Sequence, residues 1–271
     1  MEFTPIFALI VSLALIAAIA EALYVMHVQK IAYDWRESLA SLAIALIGRV
    51  LRFATLGVAT GFVSLAVEHR LLSLNASAVW YWPVLFLAEE FLYYWFHRLS
   101  HECRWFWATH AVHHSSNHLY LFSAMRLGWT GPISGSFVFF LPLFLIGFAP
   151  EDALLVIAIN LLYQYGLHTE LVGRLGWFDL VFNSPSNHRV HHACDKQYLN
   201  KNFGGIIMLF DHCFATYQAE QQPIANYGVI PVLKSYHPAI IALHEWYRLW
   251  VAIRNEHDFA KRVKIAFGKP E

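Results

Sequence analysis

Sixteen of the 271 residues are histidine, and eight of these fall in three short clusters. His97 and His101 are four residues apart. His110, His113 and His114 stand at offsets of zero, three and four, and His188, His191 and His192 repeat that spacing. On a helix, residues three and four apart share a face. Each cluster can therefore present its imidazoles to one point. Neutral imidazole is a ligand that suits iron and also accepts zinc. Eight such groups are too many for one ion and about right for two. A lone histidine is more often a satisfied polar residue or an interfacial anchor, and His27, His69, His237, His244 and His257 are read that way. Other chemistries lack their residues. His101-Glu102 is not followed by the second histidine of a zinc-protease helix, no Gly-x-Ser-x-Gly elbow occurs, and Gly204-Gly205 reads as a turn rather than a nucleotide loop.

The elements that must position these clusters are apolar helices. The chain is 58% hydrophobic and only 14% charged, too little charge to cover a soluble surface. Its formal net charge is zero, so nothing in it draws nucleic acid. Cys103, Cys194 and Cys213 make an odd set with no disulfide spacing. Residues 3–26 are long enough to span a bilayer, and with Glu2 as the first charge they read as a span rather than a cleaved leader. Residues 39–67 form a second apolar stretch, interrupted by Arg49 and Arg52. Those two snorkel, face the protein interior or pair with Glu89 and Glu90. Residues 77–96 form a third span, and 127–149 with 152–168 form a hairpin pinched at Ala149-Pro150. The expected fold is all-α, an integral membrane helical bundle with a cytoplasmic helical cap carrying the histidine-rich dimetal site. Its parts are N-terminal membrane helices over 1–76, a catalytic region over 77–217 and a C-terminal tail over 218–271. Within that tail, 238–254 reads as an aromatic helix lying on the membrane or packed on the cap.

Lysine and arginine set the sidedness. With the N-terminus outside, Lys30, Arg36, Arg98, Arg104, Arg126, Arg174, Arg189, Lys196 and Lys201 all face the cytoplasm. Residues 97–126 and 169–271 then share one side, as a common site requires. Asn160, Gln164 and His168 lie four apart on one face of the fifth span. Polar residues there face a cavity rather than lipid, which makes His168 a candidate ninth ligand.

The one spaced pair and two HxxHH boxes resemble the signature of the fatty acid hydroxylase and sterol desaturase superfamily. The likeness covers about residues 85–217 and includes Trp107-Ala-Thr-His110, His168-Thr-Glu170, Asn183-Ser-Pro-Ser186 and Lys201-Asn-Phe-Gly-Gly205 before Asp211. This finer set is most similar to the alkylglycerol monooxygenase-like branch. The resemblance implies a helical membrane fold with a cytoplasmic dimetal centre. It implies metal ligation by His97, His101, His110, His113, His114, His188, His191 and His192, and it gives Glu102 a functional role. Two positions depart from the family pattern: Asn187 stands where relatives often have histidine, and Asn117-His118 where they often have glutamate. The departures bear on tuning and substrate preference rather than on the ligands.

An unactivated C–H bond needs a stronger oxidant than any side chain, so metal and O₂ must carry such a reaction. The expected activity is an O₂-dependent di-iron oxygenation of a lipid C–H bond by hydroxylation, desaturation or ether-lipid oxidation. Electrons come from an external donor, a redox protein or a reduced pterin. Carboxylates commonly orient ligating histidines, and Glu102, Glu170 and Asp211 are the candidates. Glu90 shares a helical stripe with Tyr94, His97 and His101. Arg126 and Arg189 either pair with these acids or bind a headgroup. Phe139, Phe140, Phe144 and Phe148 either line the lipid's path or simply pack. The competing class is a metal transporter or sensor, whose ligands belong near the bilayer midplane on broken helices.

Overall fold

Two long apolar helices open the chain. The structure is a computed structural model that describes residues 4–222, 224 and 226–270. Glu2 and Phe3, at the start of the first expected span, lie outside the described residues. Helix α1 (Thr4–His27) and α2 (Trp35–Glu68) are each long and apolar enough to cross a bilayer. Few of their side chains are buried against the rest of the protein, and residues such as Leu13, Ile16, Leu46, Val50 and Phe53 are exposed along their length. A soluble core helix would hide these groups. A bilayer accounts for them. Asp34 caps α2 by accepting a hydrogen bond from the Arg36 N–H at 2.9 Å. Arg49 lies 4.7 Å from the centre of the Phe7 ring of α1, and Arg52 turns back to the Gly48 carbonyl. Neither arginine pairs with Glu89 or Glu90.

Helix α3 (Tyr81–Glu102) does not stop at residue 96, where the aromatic run ends. It continues through His97 and His101. Cys103, in an extended conformation, turns the chain directly into α4 (Arg104–His114). The first two histidine clusters therefore sit on two packed helices joined by one residue.

The continuous span expected over 127–149 is absent. That stretch is broken into α5 (Gly131–Ser134), a 3₁₀ segment at Ser136–Phe140 and α6 (Leu141–Ile146). Gly135 takes a left-handed conformation (φ 81°) and Pro142 lacks an N–H donor, so neither continues a helix. Helix α7 (Pro150–Tyr165) has 16 residues, about 24 Å at 1.5 Å per residue, short of a bilayer's hydrocarbon core. Phe144 and Phe148 are buried with Tyr81, Leu85 and Leu143, and Phe139 packs against Phe96 and Phe106.

The remaining helices fall in the part of the chain expected as the cap: α8 (Trp177–Val181), α9 (Pro185–His192), α10 (Leu209–Cys213), α11 (Pro238–Asn255) and α12 (Phe259–Phe267). Every residue of α9 is buried. Ser184 caps it, accepting from the Asn187 N–H at 3.2 Å, and Pro185 occupies its first turn. Helix α11 packs on α4, α2 and α12 through Ile241 and Leu249, leaving Ile240, Tyr247 and Trp250 exposed. Among the described residues there is no strand. Two isolated bridges, Phe182 to Ile207 and Ala193 to Tyr227, pin the ends of α8 and α9.

Candidate metal centre

Nine histidines from α3, α4, α9 and the turn after α7 come together, and they sort into two groups. His97, His101, His110, His114 and His191 form one; His113, His168, His188 and His192 form the other. Within each group the available ring nitrogens all lie within 4.8 Å of one another. The helix offsets explain the division. In α4, His110 and His114 are one turn apart and face the first group, while His113 points to the second. In α9, His188 and His192 are one turn apart and face the second group, while His191 points to the first. Each HxxHH box thus contributes to both groups, while His97 and His101 both belong to the first, and the rings of His114 and His192 stack at 4.2 Å where the groups adjoin.

The outer ring nitrogens are held by main-chain carbonyls. The Nδ1 of His97 donates to the Phe203 carbonyl at 2.9 Å, and that of His191 to Lys201 at 3.0 Å. The Nδ1 of His113 donates to Arg126 at 3.3 Å, and that of His168 to Gln164 at 2.8 Å. A carbonyl only accepts, so these four nitrogens carry the ring proton and each Nε2 carries a lone pair. The Nε2 atoms of His113 and His168 nevertheless sit 3.2 Å apart. Two lone pairs at that distance repel unless a cation lies between them. A proton is a poor candidate: burial pushes His113 down to about 4 and His191 to about 3. Burial, with the neighbouring imidazoles, also holds His110, His114, His188 and His192 well below the usual histidine range. The Nε2 atoms of His97 and His101 are buried without any hydrogen-bond partner. Neutral rings, converging lone pairs and orphaned nitrogens are what two divalent metal ions require.

Residues 82–216 match the model of the fatty acid hydroxylase family. The chain belongs to that family. Within it, the chain is 34% identical over 212 residues to alkylglycerol monooxygenase of Homo sapiens, covering 78% of this chain and 47% of that protein. It is 37% identical over 191 residues to the Danio rerio protein of the same name, covering 68% and 41%. It is also 30% identical over 149 residues to ornithine lipid hydroxylase OlsE of Rhizobium tropici, covering 52% and 45%. The chain spans about half the length of the curated relatives it matches. No solved structure matches it.

Across this fatty acid hydroxylase domain the three expected acids lie in different places, and none orients a histidine ring directly. Glu102 ends α3 and pairs with Arg98 at 3.1 Å. It lines a cavity of about 350 Å³ that reaches His101, His114, His191 and His192, with Trp107, Leu199 and Val229 in its apolar wall. Glu170 is exposed and lies with Tyr227 in a separate cavity that no box histidine lines. Asp211 is fully buried and accepts from the Phe203 and Gly204 N–H groups at 2.8 and 2.7 Å. It acts one step out, on the loop whose carbonyl holds His97. Of the two readings of Phe139, Phe140, Phe144 and Phe148, the structure shows packing; the cavity that touches the imidazoles lies elsewhere.

The partners of the buried arginines were not legible. Arg126 pairs with Glu37 of α2, and Arg189 makes a two-point contact with Glu220 at 3.0 and 2.7 Å. Neither uses Glu102, Glu170 or Asp211. Asn117 also bonds Glu37, at 2.9 Å. Asn187 donates to the Asp179 carbonyl at 2.7 Å, fastening α9 to α8. Asn160 joins Glu89, Glu90 and Gln164. The orienting carbonyls of Phe203, Lys201 and Arg126 leave no mark in residue type; the Gly204-Gly205 pair was the one available signal of a tightly packed turn.

Proposed function

We propose that this chain is a membrane-bound, O₂-dependent oxygenase that holds two iron ions and oxidises a lipid C–H bond. The observation that carries the reading is the sorting of nine neutral imidazoles into two closed groups. His97, His101, His110, His114 and His191 would hold one ion, and His113, His168, His188 and His192 the other. Given O₂, two external electrons and two protons, bound iron would supply the oxidant that an aliphatic C–H bond requires, so that in a hydroxylation one oxygen atom enters the lipid and the other leaves as water.

The protein's own part is positional. The carbonyls of Phe203, Lys201, Arg126 and Gln164 keep the rings in one tautomer and aim. Trp107, Leu199 and Val229 exclude water beside the imidazoles and receive apolar chain. Glu102, steadied by Arg98, is placed to accept a hydrogen bond from the polar end of the lipid. The names of the relatives, alkylglycerol monooxygenase and ornithine lipid hydroxylase, favour a lipid with a polar headgroup. The electron donor is an external redox protein or a reduced pterin.

The reading includes a multi-pass membrane protein with its centre in the cytoplasm, supported by the concentration of lysine and arginine around the histidine segments. It keeps the division into membrane helices over 1–76, a catalytic region over 77–217 and a tail over 218–271. The test is to purify the protein from iron-replete cells, count iron per chain, and follow O₂ uptake and oxidised lipid with a reductant present. About two irons per chain and lipid-dependent O₂ uptake are expected. Metal flux into proteoliposomes without any O₂ uptake would sink the oxygenase reading.

A further inference from the structure

The two groups of imidazoles are aimed by different parts of the chain. In the five-histidine group, His97 and His191 lean on carbonyls of one short segment, residues 201–203. Asp211 grips that segment. Its Oδ1 accepts from the Phe203 N–H and from the Thr216 hydroxyl at 2.6 Å, and its Oδ2 accepts from the Gly204 N–H. In the four-histidine group, His113 leans on the carbonyl of Arg126. Arg126 is fixed by Glu37 and by the hydroxyls of Ser41 and Ser115 at 2.9 and 3.1 Å. Asp211 and Glu37 share no partner. Asn160 does bridge the two sides, bonding both Glu90 and Gln164, so neither of those makes a selective lesion.

We propose that Asp211 and Glu37 are positioning residues for different ions: Asp211 sets the five-histidine site through the 201–204 segment, and Glu37 sets the four-histidine site through Arg126. This rests on the dimetal reading and adds that the two sites can be loosened one at a time. The chemistry is direct. In Asp211→Asn a side-chain N–H faces one of two main-chain N–H donors, so one of those bonds cannot form and a carbonyl supporting His97 shifts. In Glu37→Gln the Arg126 guanidinium loses its counter-charge, and the carbonyl beneath His113 loses its anchor. Partners one step beyond a metal's ligands change its affinity by about 10–100-fold.

The experiment uses the full chain in detergent, stripped of metal and titrated with cobalt(II). Cobalt content is measured by mass spectrometry and coordination by visible absorption. Donor sets of four and of five imidazole nitrogens would give bound cobalt different visible bands, so the two sites would have separate signatures. The parent chain should bind two ions. Asp211→Asn should keep the band of the four-histidine site at parental affinity and weaken the other ion by about 10–100-fold. Glu37→Gln should do the reverse. Equal weakening of both ions by either variant, or no change in either, overturns the proposal. If a variant fails to fold, the milder pair Thr216→Val and Ser41→Ala must show the same opposite split at smaller size; equal effects there also overturn it. A parent chain that binds no cobalt would instead defeat the dimetal reading itself.

Discussion

At the scale of the residue, a histidine's duty is set by which way its ring is turned. His191 donates Nδ1 to a carbonyl and offers Nε2 to the five-histidine group, 3.1 Å from the Nε2 of His114. His69 also bonds a carbonyl, at Leu65, but is exposed and has no second imidazole to meet. Replacing His191 with alanine should remove most of the metal at the five-histidine site and abolish lipid oxidation, while His69→Ala should leave both intact. Metal analysis with product assay checks this; full metal and turnover in the His191 variant would end its assignment as a ligand. Eight of the nine gathered histidines stood out in the sequence because their spacing is a helix-face pattern. His168, read from a polar stripe with Asn160 and Gln164, lies three residues beyond the end of α7 at Tyr165 and reaches the centre from the turn that follows. The sequence could not expose the carbonyls that aim the rings, since every residue carries one and only the fold decides where it points.

At the scale of the element, α9 is the part most completely enclosed, and two tight contacts secure it and the loop beside it. The first is the buried Arg189–Glu220 pair, which reaches from α9 to the segment after α10. Glu220→Ala strands a buried guanidinium, with an expected cost of about 3–5 kcal/mol. A clear fall in the melting midpoint in detergent checks it. The second is the close approach of residues 204–207 to α7. A Cβ added at Gly205 would overlap the Asn160 side chain. Gly205→Ala should therefore destabilise by about 1–3 kcal/mol, read in the same melting assay; an unchanged midpoint would show that this approach is not tight. The 127–149 stretch carries the opposite lesson. Its composition reads as a span, yet Gly135 and Pro142 divide it, because a run of apolar residues measures affinity for an apolar surrounding and not helical continuity.

At the scale of the whole molecule, two predictions concern the assembly of membrane helices and cap. Topology reporters placed after residue 120 and after residue 200 should give the same cytoplasmic signal, because the two segments carry histidines of one centre. Opposite signals would be incompatible with the proposed orientation. Ions bound only by the folded chain stabilise it by mass action. A strong chelator should then lower the melting midpoint, and ferrous iron should restore it. A midpoint indifferent to both would argue against bound metal. Glu21 illustrates the coupling of membrane part to cap: from within α1 it accepts from the Leu121 N–H at 2.6 Å and from the Thr169 hydroxyl, fastening the loops that follow the second box and His168.

By itself the sequence determined which histidine clusters stand out, the helical class and the apolar character of the first two helices. Those properties are local, written in spacing and in runs of residue type. The tertiary structure alone decided that the nine imidazoles divide five and four, that Asp211 grips the backbone at 203–204 while Glu37 pairs with the Arg126 side chain, and that the fourth expected span is broken. Each of these depends on which distant segments come into contact, and contacts between segments far apart in the chain follow from packing rather than from residue identity.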